Sequence, residues 1–439
     1  MIANHITDLI GNTPLLRIAP EVHGLRNVDL YAKLEMMNPF GSVKDRIGWS
    51  MLKDEIAGIR ERGAGIYESS SGNTAKALQT IASTYGIRTK LFSQRAKIRI
   101  VKQVLLLLGA EIEEISGASD CFDPGDPNDP HYIIEKAAKE AGGKIFFPSQ
   151  YTNPNNPKIH YDTTAAEILA DLGKVDYFFA TLGTTGSSGG TTQRLREDNP
   201  GLVSIGLCAA NGETIPGIRS LDQLWEVGLF RKDIYDDIKA VRLADALNSM
   251  MTLVRKCGVL CGPTSGAAYE GALAHLRDID ATLTQRKTAV FIVCDRMEWY
   301  VDYMREQRPD LFHEPVRENS LKSFSLPAGS SEWEVPVATA PKWIAEKNPL
   351  VIDTRGPLSF RMMTVAGAMN IPVENFEAMI DGHQPFPPGK PLLIICPTGE
   401  KSLLWAAYLR KMGAEAFSLQ QGLVGWRNAG HPLEKGGQA

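Results

Sequence analysis

No apolar run in this 439-residue sequence approaches the length of a membrane span, and its first residues, MIANHITDLIGNTPLL, have no basic segment leading into an apolar core. Neither a spanning helix nor a secretory leader is expected, and the cytoplasm is the expected location. Charge of one sign is also lacking. With 47 Lys and Arg against 51 Asp and Glu, the net charge of -4 gives no electrostatic case for nucleic acid, and small-molecule chemistry is the better expectation. Cysteine is sparse. The six residues, Cys121, Cys208, Cys257, Cys261, Cys294 and Cys396, are spread too widely for a disulfide framework, which suits a reducing compartment. Cys257 and Cys261 stand far from any second Cys or His pair, so no metal site is expected.

What is present is a globular composition, 43% hydrophobic and 22% charged, in a chain too long for one ordinary domain. Up to about Phe312, apolar strand-like runs (LYAKLEM, TKLFSQ, KIFFPSQ, VDYFFATLG, VSIGLCA, AVFIVCD) alternate with amphipathic helical ones, the pattern of an α/β fold on largely parallel sheets. The stretch EPVRENSLKSFSLPAGSSEWEVP is rich in Ser, Pro and charge and reads as a linker. A second, shorter alternation follows, with strands at PLVIDTR and PLLIICP and a helix at SLLWAAYLRKMG. The expected organisation is a first domain over 1–315, a linker over 316–335 and a small α/β domain over 336–439.

In the segment NPFGSVKDR, Lys44 lies between a Gly-Ser turn and a helix-like run, downstream of the strand LYAKLEM. An isolated lysine there would simply be solvated, but three further loops share its chemistry. ESSSGNTAKALQTIA carries a Ser-rich turn into a helix, placing N–H groups, hydroxyls and the Asn73 amide at a positive helix end that suits a carboxylate. TLGTTGSSGG follows a strand and leads a second helix, with the chemistry of a phosphate cradle but no Walker lysine. CGPTSGAAYEGAL puts Ser265 at a third helix start. Together with a lysine, these loops make a site for an anionic, phosphate-bearing cofactor, and pyridoxal phosphate held as a Schiff base meets that description.

The motifs ITDLIGNTPLLRI, KLEMMNPFGSVKDR, SSGNTAKAL, NPNNPKIHYDTT, GTTGS and GPTSGAA occur in the same order as in the cysteine synthase and cystathionine β-synthase family of pyridoxal-phosphate enzymes, which this chain resembles over about residues 4–310. The resemblance implies a fold-type II enzyme of two α/β subdomains, usually a homodimer. It further implies that Lys44 carries the cofactor and Asn73 bonds its ring oxygen. Gly183, Thr184, Thr185, Gly186 and Ser187 would hold the phosphate, Ser265 would face the pyridine nitrogen, and Ser70, Ser71, Thr74 and Gln150 would hold the substrate carboxylate. A hydroxyl at the pyridine nitrogen does not keep that nitrogen protonated, so the ring is a weak electron sink and rapid β-elimination is favoured over racemisation. Lys44, displaced by the substrate amine, is then the expected general base, with a pKa depressed by burial.

Two departures bear on specificity. The phosphate loop reads Gly-Thr-Thr-Gly-Ser where many cysteine synthases have Gly-Thr-Gly-Gly-Thr, and Ala75 stands where glycine is usual. Both resemble a siderophore-pathway branch that joins O-phosphoserine to an amino acid, as does NGETIPGIRSLDQL. Arg219 in that stretch also resembles an arginine of the O-phosphoserine-using sulfhydrylases, and it could bind a leaving phosphate bidentately.

Near the C-terminus, ICPTGEKSLLWAAYL puts Cys396 directly after a strand, in a short loop before a helix. Backbone N–H groups of such a loop converge on the sulfur, and the helix end favours the thiolate. PLVIDTRGPLSF, VAGAMNIPVENF, CPTGEKS and GLVGWRNAGHPLE resemble the rhodanese domain in order and spacing over about 336–435. The resemblance makes Cys396 the persulfide carrier, held in the loop Pro397, Thr398, Gly399, Glu400, Lys401 and Ser402, with Lys401 replacing the usual arginine. The joined expectation is β-replacement on O-phosphoserine or O-acetylserine with sulfur from Cys396. The partners would be a small amino-acid substrate and a sulfur donor. An amine nucleophile, as in diaminopropionate synthesis, cysteine desulfhydration run in reverse, and a rhodanese module used only for docking remain open alternatives.

Overall fold

The computed structural model describes residues 2–70, 72–93, 99–114, 130–210, 213–313, 321, 324–327 and 329–437. It divides into two compact units, the first ending at Arg308 and the second beginning at Pro309. Among the described residues the first unit carries β1 (Leu15–Arg17), β2 (Val28–Leu34), β3 (Gly65–Ser69), β4 (Thr89–Ser93), β5 (Glu111–Glu114), β6 (Ile145–Phe146), β7 (Tyr177–Thr181), β8 (Val203–Ala209), β9 (Asp237–Val241) and β10 (Lys287–Val293). The second carries β11 (Glu334–Val335), β12 (Leu350–Asp353), β13 (Met369–Asn370), β14 (Leu392–Ile395) and β15 (Ala416–Leu419). Every strand-like run read from the sequence lies on one of these.

The first unit is built on two sheets. One has the order β1-β2-β10-β7-β8-β9, parallel except for the antiparallel β1, and the other is a parallel sheet ordered β5-β4-β3-β6. The register of β10 on β2 runs from Lys287 opposite Val28 to Val293 opposite Leu34, so the loops after both strands emerge side by side. In the larger sheet β7 connects outward to β8 and β9, while β10 returns on its other side. The strand order therefore reverses between β7 and β10, and in an open parallel sheet the crevice beyond the strand C-termini at that reversal is where ligands bind. Cores of aliphatic and aromatic residues seal both subdomains, Phe178, Val290 and Ile292 in the larger sheet and Ile47, Leu52, Ile66 and Leu78 around the smaller one.

The second unit is a single parallel sheet ordered β11-β15-β14-β12-β13. Ile352 and Ile394 pack to one face with Phe376, Trp405 and Tyr408, whereas Val351, Leu393 and Ile395 pack to the other with Leu419 and Trp426. Burial on both faces explains why these strands read as continuous apolar runs. Part of the segment 316–335, expected as a linker, is folded here. Leu321 and Phe324 pack on this core, Ser330–Trp333 is a 3-10 turn and Glu334–Val335 is an edge strand. Serines and charged residues are interleaved there, and scattered apolar residues without a period gave no local signal of packing.

One buried charge network fixes the start of the Lys44–Leu52 helix. Arg46, 1% exposed, donates to Glu35 through Nε (2.7 Å) and Nη2 (2.8 Å), and to Glu167 through Nη1 and Nη2 (2.7 Å each). Lys33 Nζ reaches Glu167 at 2.8 Å, and Thr13 Oγ1 donates to Glu35 at 2.6 Å. Two cations thus meet two carboxylates with their donors satisfied. Arg46→Met would leave Glu35, which is fully buried, without its partner, and should cost about 3–5 kcal/mol. Urea unfolding followed by tryptophan fluorescence measures this; a loss below 1 kcal/mol would mean that the network relaxes.

Candidate active sites

Lys44 is the first residue of its helix, beyond the C-terminus of β2. Its position is set from two sides. Val43 N–H donates to the Cys294 carbonyl at 2.8 Å, tying the turn to the end of β10. Asp45, fully buried, accepts from Phe40 N–H (2.6 Å) and Ser42 Oγ (3.0 Å), and the Ser42 hydroxyl in turn accepts from Lys44 N–H (3.2 Å). Burial pushes the Lys44 ammonium below its ordinary pKa, with Cys294 and Asp295 acting the other way. That is the shift a lysine needs to be partly neutral and nucleophilic.

The Asn73–Thr84 helix begins at the C-terminal side of β3. Asn73 Nδ2 donates to Asp295 Oδ2 at 2.6 Å, and Tyr300 Oη donates to the same oxygen, so the amide is oriented by the loop after β10. Ser70 Oγ accepts from Ala75 N–H at 3.2 Å. Thr74 Oγ1 donates to Gln150 Oε1 at 2.6 Å, and Gln150 Nε2 donates to the Ser69 carbonyl at 3.1 Å. Beneath them Glu68, wholly buried, has its carboxyl pushed up to about 8 by desolvation, against N–H bonds from Ser69, Gln150 and Ser149. Ser71 lies outside the described residues.

After β7, Thr185 takes the left-handed conformation (φ 61°) and Gly186 starts the next helix. A side chain at 186 would collide with Asn156 Oδ1, 1.9 Å from where its Cβ would lie, which is why glycine is needed there. Asn156 Nδ2 bridges the Gln150 carbonyl (2.7 Å) and Thr184 Oγ1 (3.1 Å), so one buried amide joins the carboxylate-type cradle to the phosphate-type loop. Ser265, with no exposure, sits in the first turn of the Pro263–Asp280 helix, where its Oγ accepts from Cys294 N–H at 2.9 Å. Arg219 lies beside Gln150's neighbour, its guanidinium 5.1 Å from the Tyr151 ring centre. His131 packs edge-on against Tyr151 at 5.3 Å and is held down to about 4, chiefly by burial and also by the Arg219 charge.

The residues present fit pyridoxal phosphate. Thr185 Oγ1 is buried without a hydrogen-bond partner in the loop expected to take the phosphate, and Asp295 Oδ1 is likewise unpartnered behind Asn73. Lys44, Asn73, Gly183 to Ser187 and Ser265 could hold the cofactor, leaving Ser70, Thr74 and Gln150 for a substrate carboxylate. Sequence reasoning missed Asn156, Glu68, Asp295 and Tyr300: Asp295 and Tyr300 reach the site through the Asn73 amide, Asn156 through the Gln150 carbonyl and Thr184, and Glu68 through backbone N–H groups of Ser69 and Gln150. Asn156 had a signal in NPNNPK, and Asp295 in its place directly after an apolar strand.

In the second unit Cys396 directly follows β14, and its Sγ accepts from Gly399 N–H (3.2 Å) and Ser402 N–H (3.4 Å), with Ser402 Oγ at 3.2 Å. Gly399 (φ 94°) makes the turn that aims these amides inward. Pro397, Thr398, Glu400 and Lys401 line the outer side of the loop and are exposed. A cavity of about 110 Å³ opens beside Pro397, walled by Met363, Leu423 and Val424 with Arg355 and Arg427. Arg355 is fixed by Asp353 through Nη2 at 2.6 Å. The arrangement can hold a sulfur nucleophile against two amides and a hydroxyl.

Residues 6–295 match the family of pyridoxal-phosphate dependent enzymes, and residues 337–429 match the rhodanese-like domain. Cysteine synthase B of Salmonella typhimurium is 34% identical over 311 residues, spanning 68% of this chain and 94% of that protein. Among solved structures, a hydrogen sulfide-producing enzyme from Fusobacterium nucleatum superposes with a TM-score of 0.60 at 30% identity, covering 68% of this chain and all of that one. An O-acetylserine dependent cystathionine beta-synthase from Helicobacter pylori gives 0.58 at 27% identity, covering 69% and 98%. With its lysine, its helix-start cradles and this likeness over two thirds of its length, the chain belongs to the pyridoxal-phosphate dependent enzymes of the cysteine synthase type and carries a C-terminal rhodanese-like domain.

Proposed function

We propose that this protein performs β-replacement on an O-activated L-serine and that the replacing sulfur is carried on Cys396. The observation that carries the reading is the donor cradle around Cys396 Sγ, in the same chain as the Lys44 site. Bound pyridoxal phosphate would supply an electron sink for the bond to the α-hydrogen. The chain's own residues do the rest. Ser70, Thr74 and Gln150 orient the substrate carboxylate at a positive helix end. Lys44, its ammonium disfavoured by burial, takes the α-proton as a general base. Arg219, its guanidinium 5.1 Å from the ring centre of Gln150's neighbour Tyr151, binds the leaving oxyanion.

On the sulfur side, Cys396 thiolate attacks the outer sulfur of thiosulfate, the S–S bond breaks and sulfite leaves. The terminal sulfur of the resulting persulfide then bonds to the substrate's β-carbon, joining product to Cys396 by a disulfide. A thiol reductant cleaves that disulfide by exchange, releasing L-cysteine and regenerating Cys396 as the reductant is oxidised.

Three measurements test this reading. Borohydride reduction and peptide mapping should place the cofactor on Lys44, and Lys44→Ala should lose both this adduct and the visible absorbance; an adduct retained elsewhere in the variant would remove Lys44 from the role. With thiosulfate, a thiol and no added sulfide, wild-type enzyme should make cysteine and Cys396→Ser should make none, while added sulfide restores the variant. Equal product from thiosulfate in both would end the relay, and an amine nucleophile would become the better reading. Arg219→Ala should lose kcat/KM on O-phosphoserine by about 2–4 kcal/mol, roughly thirty- to a thousand-fold, and less on O-acetylserine. An equal loss on both substrates would mean that Arg219 does not read the phosphate.

A further inference from the structure

Below the Cys396 loop lies a second serine that the β-replacement chemistry leaves unused. Ser418 sits in β15, fully buried, with its backbone pinned by β11 on one side (opposite Glu334) and β14 on the other (opposite Ile394). Its Oγ lies 2.9 Å from Ser402 Oγ, 3.3 Å from the Gly399 carbonyl and 3.5 Å from the Leu419 carbonyl. Ser402 Oγ in turn has Cys396 Sγ at 3.2 Å and the Gly399 carbonyl at 3.1 Å. Gly399's carbonyl already accepts from Leu403 N–H at 3.0 Å.

A hydroxyl has one proton and two lone pairs, so the two serines have two protons to place among these acceptors. If Ser402 gives its proton to the Gly399 carbonyl, the sulfur keeps only its two amide donors. If Ser418 donates to Ser402 Oγ, the Ser402 proton points at Cys396 Sγ, and the donated bond polarises that hydroxyl and strengthens the next link. The second arrangement gains most when the sulfur is anionic, because a bond to a charged acceptor is about twice as strong as a neutral one.

We propose that Ser418 is a positioning residue for Cys396: through a Ser418–Ser402–Cys396 hydroxyl chain it turns the Ser402 proton onto the sulfur and stabilises the thiolate. The inference rests on the reading of Cys396 as the sulfur carrier, but not on where the sulfur goes. The charged groups facing the loop are Glu400 and Lys401 at the start of the Glu400–Lys411 helix, the Asp353–Arg355 pair after β12, and Arg427 beside the cavity. None of them contacts Ser418 through a hydrogen bond among the described residues, so a change at 418 leaves them in place.

The test is the pH profile of Cys396 alkylation by iodoacetamide, read by peptide mass on the full-length protein, with no sulfur donor or substrate present. In Ser418→Ala the rate at pH 7 should fall about three- to tenfold, the effect of one hydrogen bond, and should rejoin the wild-type rate in alkaline solution where both sulfurs are fully ionised. Ser418→Ala should have little further effect in a Ser402→Ala background, because the chain is already cut. An unchanged profile, a loss equal at every pH, or full additivity with Ser402→Ala would overturn the proposal. Because no sulfur transfer is measured, failure of the relay in product assays leaves this result readable, and failure here leaves the relay standing.

Discussion

The arginine two residues after Lys44 is the constraint on which the first site depends. Arg46 cannot shed its charge, so burying it requires two carboxylates and obliges their carriers to converge. Glu35 comes from the turn after β2, Glu167 from the Ala165–Leu172 helix, Lys33 from β2 itself and Thr13 from the N-terminal segment. Asn38 adds a further tie, donating to Glu35 and accepting from Gly11 N–H at 2.8 Å. Segments more than a hundred residues apart are thereby locked at one place. The first turn of the lysine's helix inherits that rigidity, and a nucleophile that must meet a cofactor atom needs it.

The same topological rule then serves both units. In each, a parallel sheet directs loops from the C-terminal ends of adjacent strands into one crevice. Lys44 follows β2, Asp295 follows β10 and Gly183 follows β7, three neighbours in one sheet. Cys396 follows β14, flanked by the ends of β12 and β15 that supply Arg355 and the turn into Gly422. Gly422 (φ 55°) could not carry a side chain there, since its Cβ would lie 2.2 Å from the Cys396 carbonyl. The loop is therefore shaped by packing against the following helix as much as by its own sequence.

How much of this was legible in the sequence follows from the range of the interactions. Strands with both faces buried, such as β7 and β14, announce themselves as apolar runs, and cradle loops announce themselves by Gly, Ser and Thr before a helix. The positions of Lys44, Thr74 and Cys396 at strand ends and helix starts were readable for that reason. The roles of Glu68 and Asn156 were not, although NPNNPK marked the segment of the latter, because they arise from partners on other elements: Glu68 caps backbone groups of Ser149 and Gln150, and Asn156 spans Gln150 and Thr184. Leu321 and Phe324 were missed in the other direction, as packed residues inside a stretch whose composition spoke for a linker.

The two proposed nucleophiles, Lys44 and Cys396, show why one physical environment cannot serve both. Burial disfavours the charged form of any group, which moves an amine toward its reactive neutral state but moves a thiol away from its reactive anion. Lys44 gains from desolvation alone. Cys294, buried beside it, is pushed up to about 12 by the same desolvation and by Asp295, and among the described residues its sulfur has only a 3.8 Å contact with Thr181 Oγ1 and a 4.0 Å one to the Ile292 carbonyl. It is left as a protonated thiol beside Lys44. Cys396 is also buried, at 2% exposure against 9% for Cys294, but two amides and a hydroxyl face its sulfur. Desolvation alone favours the neutral amine at Lys44, whereas an anionic sulfur needs directed donors such as those around Cys396, and the two lie in separate sheets.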